Sequence, residues 1–562
     1  MFGKGTLTAV SVAAALAAVG ARAEDVYVRS GATGDGSREN PYGELWKAVD
    51  RARRGDVIHV AAGTYNGKGG SGHFVIKTPH LTLAGGYNQD FSARNPFQNL
   101  TVLERAADYK GDWTGLPESG AIIAGDIHAD HGDLTVDGFV LDGRTRNAYQ
   151  EDGTKILMKK SYNGRLISTS SPNTVIKNCV LANPLGEAVY CTWEGEGNLI
   201  ENCLIVNWFH VGISTRSAQP GSVVAVRRNT VAFGWPYPSK GGAMAVFVGR
   251  QGKTVLEDNI FAFCTTEDDD GGIAVKNTFG NDETVMKNNV FFSCNGGFYK
   301  YMDDNRQSLL VWKPSGLADL NDEENCEDYM LSASGGNREA DPGLQPDPVY
   351  AGLFAGFIGS VPGKLNMDAL NQWRRSVGLP LQAEAGSARE NFGPPYPIAN
   401  PAALAALSSK IAGIGFTVDT GFDSYVSAAP AAVPESFAAA DFSAFKKGGT
   451  YAAGAEGTPV RFQAQMGPRK PTPYLIEAVA PASEYTCYEL YKPGAAVGAS
   501  MDKIYAYVLN GSEAHKDWEK YFKKADKYNS QGGVWISGKV YSSPNQNYTY
   551  PVGIVVLQVE KP

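Results

Sequence analysis

Between residues 174 and 294 the chain repeats one pattern, a short apolar run, a polar turn and a second apolar run: TVIKNCV (174–180), NLIENCL (198–204), AVRRNTV (225–231), TVLEDNI (254–260) and TVMKNNV (284–290). Aligning the turns stacks Asn178, Asn202, Asn229, Asp258 and Asn288 at separations of 24, 27, 29 and 30 residues, a solenoid period. Alternating apolar and polar positions within each run predict strands. Each unit then passes through a variable loop into a glycine-flanked strand such as EAVYC (187–191), VGIST (211–215) or GGIAV (271–275), which gives three short strands per coil. Asparagine suits the turns because it tolerates left-handed backbone and its amide bonds neighbouring backbone groups, so equivalent turns can form a ladder. The next column reads Cys179, Cys203, Thr230, Asn259 and Asn289, a buried stack that includes thiols; no CxxC or interleaved histidine pattern points to a metal.

Upstream, PYGELWKAVDRARRGDVIHVAAGTY (41–65) reads as a helix carrying Leu45, Trp46 and Val49, followed by a first strand at 57–60. Such a helix closes the open end of a solenoid. Downstream of residue 345 the repeat stops, and NMDALNQWRRSVG (366–378) and NPAALAALSSKIAG (400–413) read as helices expected to cover the C-terminal coil. Residues 428–456 are rich in Ala, Pro, Ser and Gly and read as a linker. Strand patterns resume at PVRFQAQ (459–465), YLIEAVA (474–480), YTCYEL (485–490), IYAYVL (504–509), VWISGKVY (534–541) and VGIVVLQVE (552–560), with an amphipathic SEAHKDWEKYFKK (512–524) between late strands. The expected organisation is a leader over 1–23, a β-helix over 24–345, a capping region over 346–427, the linker, and a small OB-like β-barrel over 457–562.

Composition narrows the function. Of 562 residues, 43% are hydrophobic and 11% aromatic, enough for a substantial core, and 65 glycines fit a turn-rich β architecture. Lys and Arg number 51 against 59 Asp and Glu, a net charge of −8, so nucleic acid is not an expected partner. The start, MFGKGTLTAVSVAAALAAVGARA, has Lys4, an apolar run from Leu7 to Val19 and small residues around Arg22, the layout of a bacterial-type secretory signal. The protein is therefore expected to be secreted, extracellular or periplasmic, without a membrane span and monomeric. Seven cysteines are too sparse for a disulfide scaffold and are expected to be structural.

In a solenoid the interior is packed, so chemistry belongs on outward strand positions and successive loops. The loops at 183–187, 207–210, 234–242, 264–272 and 294–297 bring Trp208, His210, Trp235, Tyr237, Lys240 and the run Glu267 to Asp270 onto neighbouring levels, and adjacent strands add Tyr190, Arg216, Arg250, Lys276 and Lys300. Coils stack about 4.8 Å apart, so such residues reach one sugar ring together. Aromatic faces and cations suit an acidic polysaccharide. The sharpest cluster is TTEDDDGGIAVKN (265–277): carboxylates in one loop repel unless they are solvated or bridged by a hard cation such as Ca²⁺, and Lys276 follows six residues after Asp270. β-Elimination from a uronic acid needs its carboxylate neutralised and a base for the adjacent proton, and a metal plus a lysine supplies both.

The 41–65 segment, LTLAGGY (81–87), LTVDGFVLDG (134–143) and the Asn-bearing coils resemble right-handed parallel β-helix proteins of the pectate-lyase-like superfamily, over roughly residues 25–345. The acidic loop and GIAVKN (272–277) resemble the calcium-and-lysine site of the chondroitinase B and alginate lyase family. That resemblance implies a secreted polysaccharide lyase with Asp268 and Asp270 as Ca²⁺ ligands and Lys276 as base. Arg250 and Lys300 would assist, Lys300 standing where that family places an arginine. Trp208, His210, Arg216, Trp235, Tyr237 and Lys240 would bind the glycan. Two alternatives stand beside it. The pairs Asp269 with Asp270 and Asp303 with Asp304 resemble the carboxylates of β-helical hydrolases, and a solvated acidic loop beside a surface lysine fits a non-catalytic glycan-binding protein.

Overall fold

Winding is dictated by the inward residue of each short strand. Ile176, Ile200, Val226, Leu256 and Met286 pair in register on five successive strands, and all are buried. The computed structural model describes residues 23–109, 123–125, 133–143, 165–184, 186–235, 243–264, 272–294, 296–348, 396–398, 400–419, 436–451, 457–467, 485–497, 503–510, 512–542 and 549–562, with scattered positions between 351 and 425. The first unit, Glu24–Ala428, is a parallel β-helix of three stacked sheets. Sheet A has ten strands, from Asp25–Val28 to Ala333–Gly335; sheet B has nine, from Gly63–Tyr65 to Arg338–Glu339; sheet C has nine, from Phe74–Ile76 to Ser308–Val311. All pairs run parallel except the last in sheet C, where Ser308–Val311 turns back on Gly297–Met302.

At the corner between sheets A and B the left-handed positions are Asn178, Asn202, Arg228, Asp258 and Asn288, with φ between 48° and 57°. Arg228, not Asn229, occupies the turn of the third coil. A one-residue slip in a strand reverses every side chain, and the inward Val226 fixes the register that the asparagine alignment misses. Asn229 is thereby turned inward, and the neighbouring column becomes Cys179, Cys203, Asn229, Asn259, Asn289 and Asn337 in place of a column containing Thr230. Its asparagines form a buried ladder. Asn259 Nδ2 donates to Asn289 Oδ1 (3.0 Å) and to the Val226 carbonyl (2.8 Å), while Asn259 Oδ1 accepts from the Asn229 backbone N–H (3.0 Å) and from Asn229 Nδ2 (3.1 Å).

The helix Leu45–Arg51 closes the N-terminal end with Leu45, Ala48 and Val49 buried in the solenoid core. The opposite end is closed by a helix at Pro314–Leu320 and the turns after it, which insert Leu317, Leu320, Cys326 and Leu331 into the same core. The 400–413 segment, expected there, lies elsewhere. Its helix Pro401–Ala406 places Leu404, with Leu407, Phe416, Tyr396 and Ile398, against the outer face of sheet B. Sheet B is thus buried on both faces, which is why its strands (VLA, IFAFC, VFF) are almost wholly apolar. Tyr425 pins this covering segment: its hydroxyl donates to Asp137 Oδ2 (2.6 Å), a fully buried carboxylate also paired with Arg94 (2.8 Å) and bonded by Asn178 Nδ2 (2.9 Å). Of 366–378, all but four positions lie outside the described residues.

The second unit contains Ala429–Pro562. Strands Thr458–Met466, Tyr485–Tyr491, Lys503–Leu509, Val552–Glu560 and Val534–Ser542 follow one another around a sheet whose first and last members also pair, giving a closed five-stranded barrel. The helix Glu513–Phe522, capped by the Ser512 hydroxyl accepting from the His515 N–H, buries Trp518 in the barrel core. The expected strand at 474–480 lies outside the described residues. Among the described residues no helix is long and apolar enough to cross a membrane.

Candidate functional site

Sheet C differs from its neighbours in what it turns outward. Tyr190, Ser214, Phe247, Lys276, Lys300 and Leu310 occupy one register position on six successive strands, beside an inward column of Val189, Ile213, Val246, Val275, Tyr299 and Val311. The inward members are buried in the core, which fixes the direction of the others by strand alternation. Residues just before and after the strands complete a basic, aromatic wall. Phe247 and Phe279 stack at 5.5 Å between ring centres, Arg250 lies over Phe279 (5.2 Å), and Arg216 and Lys276 approach Phe247 at 5.5 and 5.8 Å.

At the upper end of this wall Glu187 is clamped between two guanidiniums, accepting from Arg165 Nε at 3.0 Å and Arg216 Nη2 at 3.2 Å. Its side chain is 7% exposed, against 16% for Arg165 and 36% for Arg216. Arg165 lies 3.7 Å over the Tyr190 ring, and the Tyr190 hydroxyl accepts from Ser217 Oγ at 2.6 Å. One carboxylate thus orients two cations whose combined charge exceeds its own. Partial burial lowers the local dielectric, so an incoming anion feels them more strongly than it would feel exposed lysines.

Of the residues singled out from sequence, Arg216, Arg250, Lys276 and Lys300 come together on this flank. His210 is half-buried in the turn into Val211–Ser214, with left-handed backbone (φ 67°), and its carbonyl accepts from the Met244 N–H. Trp208 is not on the surface. The left-handed turn at Asn207 directs its indole into the core, against Gly234 one coil away, where a Cβ would stand 2.2 Å from the ring. Trp235 ends the strand Thr230–Trp235, and its side chain lies outside the description, as do Tyr237, Lys240, Asp268 and Asp270 with their loops. Among the described residues no group of three His, Cys, Asp or Glu side chains is placed to hold a metal.

Sequence reasoning missed Arg165, Phe247 and Phe279 and did not single out Glu187; strand alternation alone would have marked Phe247, since it pairs with Lys276. The seven cysteines are buried and free, and burial pushes the Cys191 thiol up to about 12, so these thiols are packing groups. A second titratable cluster lies on sheet A, where His59 bridges Asp25 (2.8 Å) and Tyr87 (2.9 Å). Burial holds its imidazole below the usual range, against the opposing pull of Asp25. It is packed beneath Tyr27 and presents no comparable open face.

No family model matches the chain, and no curated protein matches it in sequence. Among solved structures, a Geobacillus virus E2 protein, ORF18, is similar at 8% sequence identity and a TM-score of 0.22, over 50% of this chain. The match spans 61% of that protein's own chain.

Proposed function

We propose that this is an exported, pectate-lyase-like polysaccharide lyase that lays an acidic, uronate-bearing glycan along the outer face of sheet C and cleaves it by β-elimination. The observation that carries the reading is the register column, which sets Lys276 and Lys300 on adjacent strands next to Phe247, with Arg216 and Arg250 at its margin. Adjacent strands are about 4.8 Å apart, so two cations meet neighbouring groups of one extended chain. In this reading Lys300, Arg216 and Arg250 draw charge from a uronate carboxylate, which acidifies the proton on the adjoining carbon. Lys276, placed as the base by this column, takes that proton through its amine. The electron pair forms the carbon–carbon double bond, and the glycosidic oxygen leaves with a proton from solvent. Glu187 acts through its two arginines as a positioning residue. Asp268 and Asp270 are the calcium ligands of this proposal, and no step above depends on them.

The test is incubation with pectate, alginate and chondroitin, with Ca²⁺ or EDTA, while following ultraviolet absorbance of unsaturated product. The expected result is absorbance with one of them, lost in Lys276→Ala. New reducing ends without absorbance would replace elimination by hydrolysis, and binding without cleavage would leave a glycan-binding protein.

A further inference from the structure

Large apolar side chains left exposed among the described residues are few, and three of them, Leu309, Leu310 and Trp312, adjoin the last strand of sheet C. The strand Ser308–Val311 runs back along Gly297–Met302 and pairs Leu310 with Lys300 and Val311 with Tyr299. Val311 is buried in the solenoid core, so alternation directs Leu310 outward, and Trp312 follows just past the end of the strand, exposed. Leu310 rests over Gly297, where a Cβ would come within 2.7 Å of it, and so leaves the tryptophan standing clear. Trp312 is 60% exposed, with the Lys313 ammonium 4.6 Å from its ring centre. Lys276, Lys300 and Leu310 lie in line on three neighbouring strands, and Trp312 is displaced two residues beyond Leu310, so its backbone stands two strand spacings across the sheet and two residues along it from Lys276, about 12 Å in all.

Building on the reading of sheet C as an acidic-glycan site, we propose that Trp312, with Lys300 and Lys313, forms a terminal subsite that stacks a sugar ring of the same chain beyond the position at Lys276. The indole offers an electron-rich face to the apolar C–H face of a pyranose, and the flanking ammoniums meet the carboxylates that such a sugar carries. A second copy of this protein is a poorer occupant. A two-fold antiparallel pairing of Ser308–Val311 with itself would set Lys313 of each copy opposite Arg306 of the other, cation against cation, and an edge lysine is a common guard against strand pairing.

The experiment titrates the full-length protein with size-defined uronic-acid oligosaccharides, a disaccharide and longer oligomers of the preferred polymer, by calorimetry. The wild type is compared with Trp312→Ala and Trp312→Phe, and sedimentation is run on each. Trp312→Ala should weaken binding of the longer oligomers by about tenfold, leave the disaccharide unchanged, and be largely rescued in Trp312→Phe. Equal affinities of wild type and Trp312→Ala for long oligomers would remove the subsite and leave the wall intact. Failure of the wild type to bind any uronic-acid oligomer would remove the wall, and the subsite with it. A change of oligomeric state in Trp312→Ala would instead assign the patch to self-association and overturn the proposal.

Discussion

Sheets B and C are laid down by the same coils, strand after strand, yet their outer faces meet different fates. Sheet B turns out Val180, Ala182, Leu204, Val206, Ala232, Ile260, Ala262 and Val290, and the chain returns more than 100 residues beyond the last of them to cover them with Tyr396, Leu404, Leu407 and Phe416. Sheet C turns out Tyr190, Phe247, Lys276 and Lys300 at the equivalent level. The inward residues of the two sheets are alike in kind, aliphatic with a few aromatics (Phe261 and Phe291 in sheet B, Tyr299 in sheet C), so the interior fixes the winding and says nothing about use. The outward residues decide whether a flank is sealed by the protein's own segment or, in the reading proposed above, kept for a ligand. An apolar outer face left in water would cost about 25 cal/mol for each Å² it exposes, which is why sheet B needs its cover and the mixed aromatic and cationic face of sheet C does not.

The sharpest way to break this contrast is to loosen the cover. Phe416 is fully buried, packs edge-to-face on Phe97 at 5.0 Å, and is fixed by its backbone N–H donating to Thr230 Oγ1 at 3.0 Å. Phe416→Ala should cost about 3–5 kcal/mol in urea unfolding of the β-helix, through lost burial and the cavity left behind. A loss below about 1 kcal/mol would mean that the segment merely rests on sheet B.

A smaller effect tests the corner through which each coil enters sheet B. Asn259→Ala removes the acceptor for two donors of Asn229 and the donor to the Val226 carbonyl, all in a fully buried setting. Leaving these groups without partners should cost about 2 kcal/mol, visible as a lower urea midpoint at unchanged slope. Cys203, two steps along the same column, donates weakly from Sγ to the Ile176 carbonyl at 3.6 Å. Cys203→Ala should therefore cost less than Asn259→Ala, and equal losses would show that the amide ladder adds nothing beyond volume.

What could be read from sequence follows the same division. The interior was legible because burial demands an apolar residue at a fixed point of every coil, and that requirement repeats. The turn column was legible except at the third coil, where Arg228 and Asn229 both suit a turn and only the inward Val226 decides between them. On the outer wall, Arg216, Lys276 and Lys300 were visible because they lie on or immediately after strands of known phase. Arg165 and Glu187 were not, because they stand where loop lengths vary and no period fixes their direction. Trp208 misled because WFH looks like a loop, whereas the left-handed backbone at Asn207 turns the indole inward. The cover on sheet B was illegible for a different reason, since a non-repeating segment carries no periodic signal of the face it will meet.

The smallest expected change in stability is also the one that asks most of sheet C. Lys276 and Lys300 are half-buried at outward positions, with their strands held by inward Val275 and Tyr299. The double variant Lys276→Ala with Lys300→Ala should unfold within about 1 kcal/mol of wild type, since substitutions away from the core rarely cost more. Its affinity for an acidic polysaccharide should fall, and the remaining binding should respond less steeply to salt, because two charges that meet the polymer are gone. Measured together, unfolding and salt-dependent binding separate the two kinds of flank: Phe416→Ala should lower stability by several kcal/mol, whereas the lysine variant should lower binding and spare the fold. Should the lysine variant instead unfold as readily as Phe416→Ala while binding persists, the outer face of sheet C would be a structural surface like that of sheet B, and the glycan would have to be sought on another part of the molecule.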